Sequence, residues 1–302
     1  MRSAENIRDA NVRYHDLAAG HYDSKWGINY DEVGQAQVIG KLRKALGHEP
    51  RRYARALEIG AGTGYFSLNL LCAGVVGQAV ATDISPGMLD KLRRSAEELA
   101  LPVETAACEA AELPFEDGSF DLVFGHAVLH HLPDLGAAFR EFRRVLAPGG
   151  VVAFCGEPSY YGDRIAAWPK RGANAVAPLW RALMRAAPRP TTNGNGNGGN
   201  EEERLEQLVD VHAFTPAELV GLTEAAGFEG VRVSGEELAA SLFGWANRTL
   251  EASADPLDVP WAWRVYAYRG YLLLQSLDRS LLESRLPPAL FYNLLLSARA
   301  PA

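Results

Sequence analysis

The chain has 302 residues, 48% of them hydrophobic and 22% charged, with a formal net charge of -7. A chain of this length and composition can build a sizeable core. Its acidic balance argues against the broad basic footprint of a nucleic-acid binder. The most basic stretch, Arg181, Arg185 and Arg189, has the spacing of a solvated helix face followed by a loop.

The opening residues MRSAENIRDANVRYHD are polar throughout, which predicts no secretory leader. No uncharged run reaches the roughly 18 residues of a spanning helix. The expectation is a cytoplasmic protein with no membrane partner. Cys72, Cys108 and Cys155 lie far apart beside apolar runs, the setting of buried free thiols rather than of a disulfide or metal site.

Residues 1–50 carry Tyr14, Tyr22, Trp26 and Tyr30 at spacings close to one helical face. They predict a helical cap that either packs onto the core or closes over a ligand, with Tyr22 against it. RYARALEIG then predicts a strand and YFSLNLLCAG a helix. QAVATDIS is a second strand, SPGMLDKLRRSAEELAL a second helix, and PVETAAC a third strand. A fourth strand centres on Leu122 to Phe124. In LGAAFREFRRVLAPGG, apolar residues recur at helical spacing until Pro148, Gly149 and Gly150. VVAFCGEP is a fifth strand. Alternation of this kind implies a parallel sheet with helices on both faces.

From about 157 the rhythm breaks. Residues 158–212 form an insertion containing TTNGNGNGGNEEE, a composition too polar to bury a core. The rhythm returns at FTPAELVGLTEAAGF, where Thr215, Pro216 and Glu218 spell a capping box. Residues 213–302 complete the sheet, FYNLLLSARAP being its last strand, around a helical insertion at 237–288. That insertion is rich in Trp and Tyr. It suits either a pocket for a small hydrophobic or aromatic acceptor or a core or dimer-forming helix.

LEIGAGTGYF, residues 57–66, places three glycines where a strand feeds a helix. Bare backbone there exposes N–H groups at the carboxyl edge of the sheet, where ligands bind. The spacing is G-x-G-x-G, not the dinucleotide pattern G-x-G-x-x-G, and an acid precedes the first glycine by two positions. Asp83 ends the next strand, placed to accept ribose hydroxyls. With the later stretch CEAAELPFEDGSFDLVFGHAVLHHLPD, the ordered set resembles the class I S-adenosylmethionine-dependent methyltransferases, in their small-molecule branch. The likeness is strong over about 53–157 and weaker over 212–235 and 289–300.

That resemblance implies an α/β, Rossmann-like, doubly wound seven-stranded sheet over residues 51–157 and the returning strands. Six strands would be parallel and the last antiparallel, inserted beside the fifth. It implies that Glu58 and the loop Gly60, Ala61, Gly62, Thr63 and Gly64 hold the methionyl end of S-adenosylmethionine. Asp83 would bind the ribose. Ile84 and Met88 would flank the adenine, and Glu109 with Ala110 would read its edge. Glu109 stands where the family usually has aspartate. His126 and Ala127 would line the path to the sulfonium. His126 and His130 are the candidate general bases, a chemistry suited to histidine near neutral pH, although the family often works without a base. Adjacent His130 and His131 do not compose a metal set, so no metal is expected. The alternative function is a cofactor-binding regulatory or scaffolding homologue without turnover.

Overall fold

The computed structural model describes residues 4–19, 28–189 and 212–302. Tyr22, Trp26 and the 191–203 tract lie outside the described residues. Helix α1 (Ala4–Ala18) and α2 (Glu32–Leu46) precede the sheet. Strands β1 (Tyr53–Ile59), β2 (Val76–Asp83), β3 (Val103–Ala107), β4 (Phe120–His126) and β5 (Leu146–Pro158) then alternate with helices. Those helices are α3 (Tyr65–Cys72), α4 (Pro86–Glu98) and α5 (Leu135–Val145). After α6 (Tyr160–Met184) come α7 (Pro216–Ala225), β6 (Glu229–Glu236), α8 (Ala239–Ala252), α9 (Trp261–Leu277) and β7 (Asn293–Arg299).

The seven strands form one sheet in the order β3-β2-β1-β4-β5-β7-β6. β1 pairs in parallel with β2 and β4, β2 with β3, and β4 with β5. Gly149 donates its N–H to the Pro301 carbonyl, and the Gly150 carbonyl accepts from Ala300. Rising numbers on β5 thus meet falling numbers beyond β7, the signature of antiparallel pairing. The sheet is therefore mixed, with β7 beside β5. Chain order reverses between β1 and β4, so a crevice opens there at the strands' carboxyl ends.

The chain divides into two compact units, the first built from residues 1–157, 197–233 and 295–302. In its core, Val38 and Leu42 of α2 pack with Tyr53, Phe66, Leu70 and Phe124, all buried. Leu89 and Leu92 of α4 pack against Ala61 and Ala81. β1, β2, β4, β5 and β7 are buried at their centres, which is why they lack polar alternation, whereas the edge strands β3 and β6 are only partly buried. The capping box forms as read: Thr215 Oγ1 accepts from the Glu218 N–H, and Glu218 accepts from the Thr215 N–H.

Three expectations need correction. β5 starts at Leu146, so Pro148, Gly149 and Gly150 lie within a strand that α5 enters directly. Cys72 is exposed, whereas Cys155 is buried. The aromatics Tyr14 and Tyr30 do not share one helix: α1 ends at Ala18, and Tyr30 lies in irregular chain before α2.

The second unit comprises residues 158–196 and 234–294. Its start is a 25-residue helix, α6, where the sequence showed only a broken rhythm. Pro169 and Pro178 lie inside it, each removing a backbone donor. Alanine-rich turns and the Ser159 side chain, which caps Gly162, sustain the helix. Asp278 is fully buried, and its carboxylate accepts from the Ala239 and Ala240 amides at the start of α8. Trp180 of α6 meets Trp263 of α9 edge-on, 5.2 Å between centroids.

Candidate active site

A cavity of about 310 Å³ opens at the reversal point of the sheet. The loop after β1 supplies Gly60 and Gly62, and the end of β2 supplies Asp83 and Ile84. The loop after β3 supplies Glu109 and Ala110; that after β4 supplies His126 to Val128 and His130 to Asp134. Arg8, Asn11, Tyr14 and His15 of α1 complete the wall.

The glycine turn has two distinct jobs. A Cβ on Gly60 would lie 2.3 Å from Val128 Cγ2, so this residue lets two loops pack. A Cβ on Gly62 would meet nothing within 4 Å, and its φ is +53°. Gly62 therefore turns bare backbone toward open space beside the Asp83 carboxylate. That opening is the feature by which the loop fits a ligand that needs close main-chain approach.

Asp83 is buried and braces its own surroundings. Its Oδ2 accepts from the Gly62 N–H at 2.8 Å and its Oδ1 from the Ser85 N–H at 2.8 Å. Burial raises its pKa above the ordinary value, against the pull of these amides. Ser85 caps α4 and donates its hydroxyl to Asp16 of α1 at 2.5 Å. Asp16 also accepts from the Gly87 N–H. At the other end of α1, Arg8 pairs with Glu109 at 3.0 Å. This pair is half-exposed, so it holds Glu109 only loosely and leaves it accessible to an exchanging partner. α1 is thus tied to the loops after β2 and β3.

Glu58 does not line the cavity. It is 2% exposed, and its Oε2 accepts from the Ser67 N–H at 3.0 Å and from the Ser67 hydroxyl. The acid thus ties β1 to the first turn of α3 beneath the glycine loop. Burial pushes its pKa up to about 8 despite the Ser67 bonds. A carboxyl raised in the folded state stabilises the fold fully below its unfolded value of about 4.3. That contribution is lost as pH rises through about 8. The isosteric, uncharged Glu58→Gln variant is therefore expected to gain thermal stability relative to the parent as pH is raised from 5 to 9. A melting series checks this, at about 2–4 °C per kcal/mol regained for a chain of this size. Met88, Ala61 and Thr63 are also buried and do not line the cavity.

The histidines part company. His126 lines the cavity and stacks on Phe66, with 4.8 Å between centroids. His130 is buried, and its Nδ1 lies 2.9 Å from Glu157 Oε2. Glu157 also accepts from the backbone N–H groups of Val128, Leu129 and His130 at 3.0–3.2 Å. His130 is therefore engaged in bracing the loop behind β4. Burial alone would raise the Glu157 pKa, but the His130 bond and charge, with the loop amides, hold it below the ordinary value. His131 is sandwiched between His130 and His15, at 3.9 and 5.7 Å between ring centroids. His15 is pushed down to about 3, by burial first and then by His131 and His130, and stays neutral near pH 7. Ala127 has φ +53°, a strained value for alanine, at the cavity wall.

Glu157 escapes a motif search, since its partners come from another loop. The available signal was an acid in CGEP, at the carboxyl end of a predicted core strand. Among the described residues no His, Cys, Asp and Glu cluster has a metal-binding arrangement.

Residues 57–154 match the methyltransferase domain family. The chain is 32% identical to the malonyl-acyl-carrier-protein O-methyltransferase of Methylococcus capsulatus over 218 residues, covering 70% of this chain and 71% of that one. It is 38% identical to the enzyme of the same name from Halorhodospira halophila over 151 residues. That stretch spans 48% of this chain and half, 50%, of the relative's length. In fold, it is similar to phosphoethanolamine N-methyltransferase 2 of Haemonchus contortus, at TM-score 0.60 and 17% identity. This likeness covers 100% of the chain and 61% of that structure. With this sheet order, this glycine turn and a relative matched over most of both lengths, the chain belongs to the class I S-adenosylmethionine-dependent methyltransferases, and S-adenosylmethionine is its cofactor.

Proposed function

We propose that this chain transfers a methyl group to a carboxylate that an acyl-carrier protein presents as a thioester, such as a malonyl group. The observation that carries methyl transfer is the convergence of the open Gly62 backbone, Asp83, Glu109 and His126 on one cavity. The carrier-borne acceptor rests on the two relatives whose names specify it.

In this reading the Gly60 to Gly64 backbone takes the amino-acid tail of the cofactor, above the brace that Glu58 supplies. Asp83 takes the ribose, Ile84 lies against the adenine, and Glu109 with Ala110 reads its edge. When bound, the cofactor supplies an electrophilic methyl group on a positively charged sulfur. A carboxylate acceptor is already ionised near pH 7, so His126 and His130 need not remove a proton. Their work is then positional: His126 shapes the wall after β4, and His130 with Glu157 fixes the loop that carries it. α1 screens the cavity from water. An anionic acceptor and a cationic donor lose charge as they react, so a dry, low-dielectric wall favours the step.

The test is label transfer from methyl-tritiated cofactor to malonyl-acyl-carrier protein, with malonyl-pantetheine and free malonate alongside. A base-labile methyl ester on the carrier is expected. Labelling of a different acceptor alone would overturn the carrier reading. Cofactor uptake with no transfer to any carboxylate, phenol or amine would favour the non-catalytic homologue.

A further inference from the structure

Large apolar side chains are not exposed at random. Among the described residues, every one standing at the surface, except Val33, belongs to the second unit. Single exposed apolar residues are ordinary, but a concentrated set marks an interaction surface. On α6, Trp168, Leu179 and Leu183 are each 74% exposed, and Val176 is half-exposed. At 3.6 residues per turn these four fall within an arc of about 80°. The adjoining face, centred about 110° round the helix, holds the buried Ala166, Ala173, Ala177 and Trp180. On α9, Trp261 is 79% exposed, and it shares a stripe with the exposed Tyr268 and Leu272.

Charge accompanies the apolar stripes. Arg164 and Arg171 border the α6 stripe on one side, and Arg264 and Arg269 border the α9 stripe on both sides. α9 contains no acidic residue. The lone acid of α6, Asp163, is paired with Lys170. These helices are basic in a chain of net charge -7. A second copy would set arginine against arginine, so self-association does not suit the face. An anionic partner does.

We propose that the exposed faces of α6 and α9 dock the protein on an anionic lipid surface. Two features favour a bilayer over an acidic protein. Trp, Tyr and Leu flanked by Arg is the composition of helices lying in the membrane interface. The arginines can reach headgroup phosphates while the ring and aliphatic groups enter the acyl boundary. No described helix is long and apolar enough to cross a membrane, so the contact is with the surface. This amends the expectation of no membrane partner, which rested only on the lack of a spanning run. It is independent of the acceptor proposed above.

The test is flotation of the intact chain with vesicles of phosphatidylcholine, alone or mixed with phosphatidylglycerol. Binding to the mixed vesicles is expected to exceed binding to the neutral ones by roughly tenfold and to fall in high salt. Leu179→Glu/Leu183→Glu is expected to abolish it, and Arg171→Glu/Arg269→Glu to weaken it about tenfold. All four sites are exposed, so the melting temperature should hold. Failure to bind either vesicle overturns the proposal, as does binding that both double variants retain. A dimer that Leu179→Glu/Leu183→Glu dissociates, or retention by acyl-carrier protein that depends on the same residues while vesicles are ignored, would overturn it in favour of a protein occupant.

Discussion

Asp83→Ala is expected to weaken binding of S-adenosylmethionine by about 100-fold or more while leaving the fold in place. Each hydrogen bond from a ligand hydroxyl to a charged carboxylate contributes about 1.5–3 kcal/mol, and two ribose hydroxyls would be lost together. A further loss comes from within the protein. Asp83 accepts from Gly62 and Ser85, so its removal also frees the loop proposed to receive the ligand. Titration calorimetry reads the affinity, and far-ultraviolet circular dichroism reads the fold. Unchanged affinity in a folded Asp83→Ala protein would remove the ribose assignment. Asp83→Asn should fall between the two, since it keeps acceptor capacity without charge.

Glu157→Ala is expected to cost about 3–5 kcal/mol of stability, the usual cost of breaking a buried, charge-assisted network. Glu157 is fully buried, and its two oxygens collect three loop amides and the His130 ring. Denaturant unfolding measures this loss, and a value below 1 kcal/mol would contradict the bracing role. The pH dependence has a definite sign. The folded Glu157 pKa is depressed, so its contribution is complete above the unfolded value of about 4.3. It is lost as pH falls through the folded value. The stability gap between parent and Glu157→Ala should therefore be full at pH 6 and shrink as pH drops below 4. Activity should fall as well, because the braced loop carries Val128 against Gly60 and forms the wall behind His126.

The residues proposed to hold the cofactor could be picked out in the sequence because their chemistry is local. A strand running into alternating glycines exposes backbone wherever it occurs, and an acid closing the next strand lies on the same edge of a parallel sheet. Gly60, Gly62, Asp83, Ile84, Glu109, Ala110 and His126 accordingly reach one cavity. What stayed hidden depends on contacts between distant segments. Whether Glu58 faces ligand or Ser67 is set by how α3 leaves the loop, not by the motif. That Glu157 holds the His130 ring shows only once β5 is placed beside β4. α6 was hidden for a different reason: two prolines and small residues mask a helix whose apolar faces are split between core and surface.

The most direct measurement is calorimetric titration of the purified, folded chain with S-adenosylhomocysteine, the demethylated cofactor. A glycine cradle beside Asp83 predicts saturable binding of one molecule per chain, with a dissociation constant on the order of micromolar, about -8 kcal/mol, that Asp83→Ala raises sharply. No saturable heat at millimolar ligand, from material whose circular dichroism shows the fold, would contradict it.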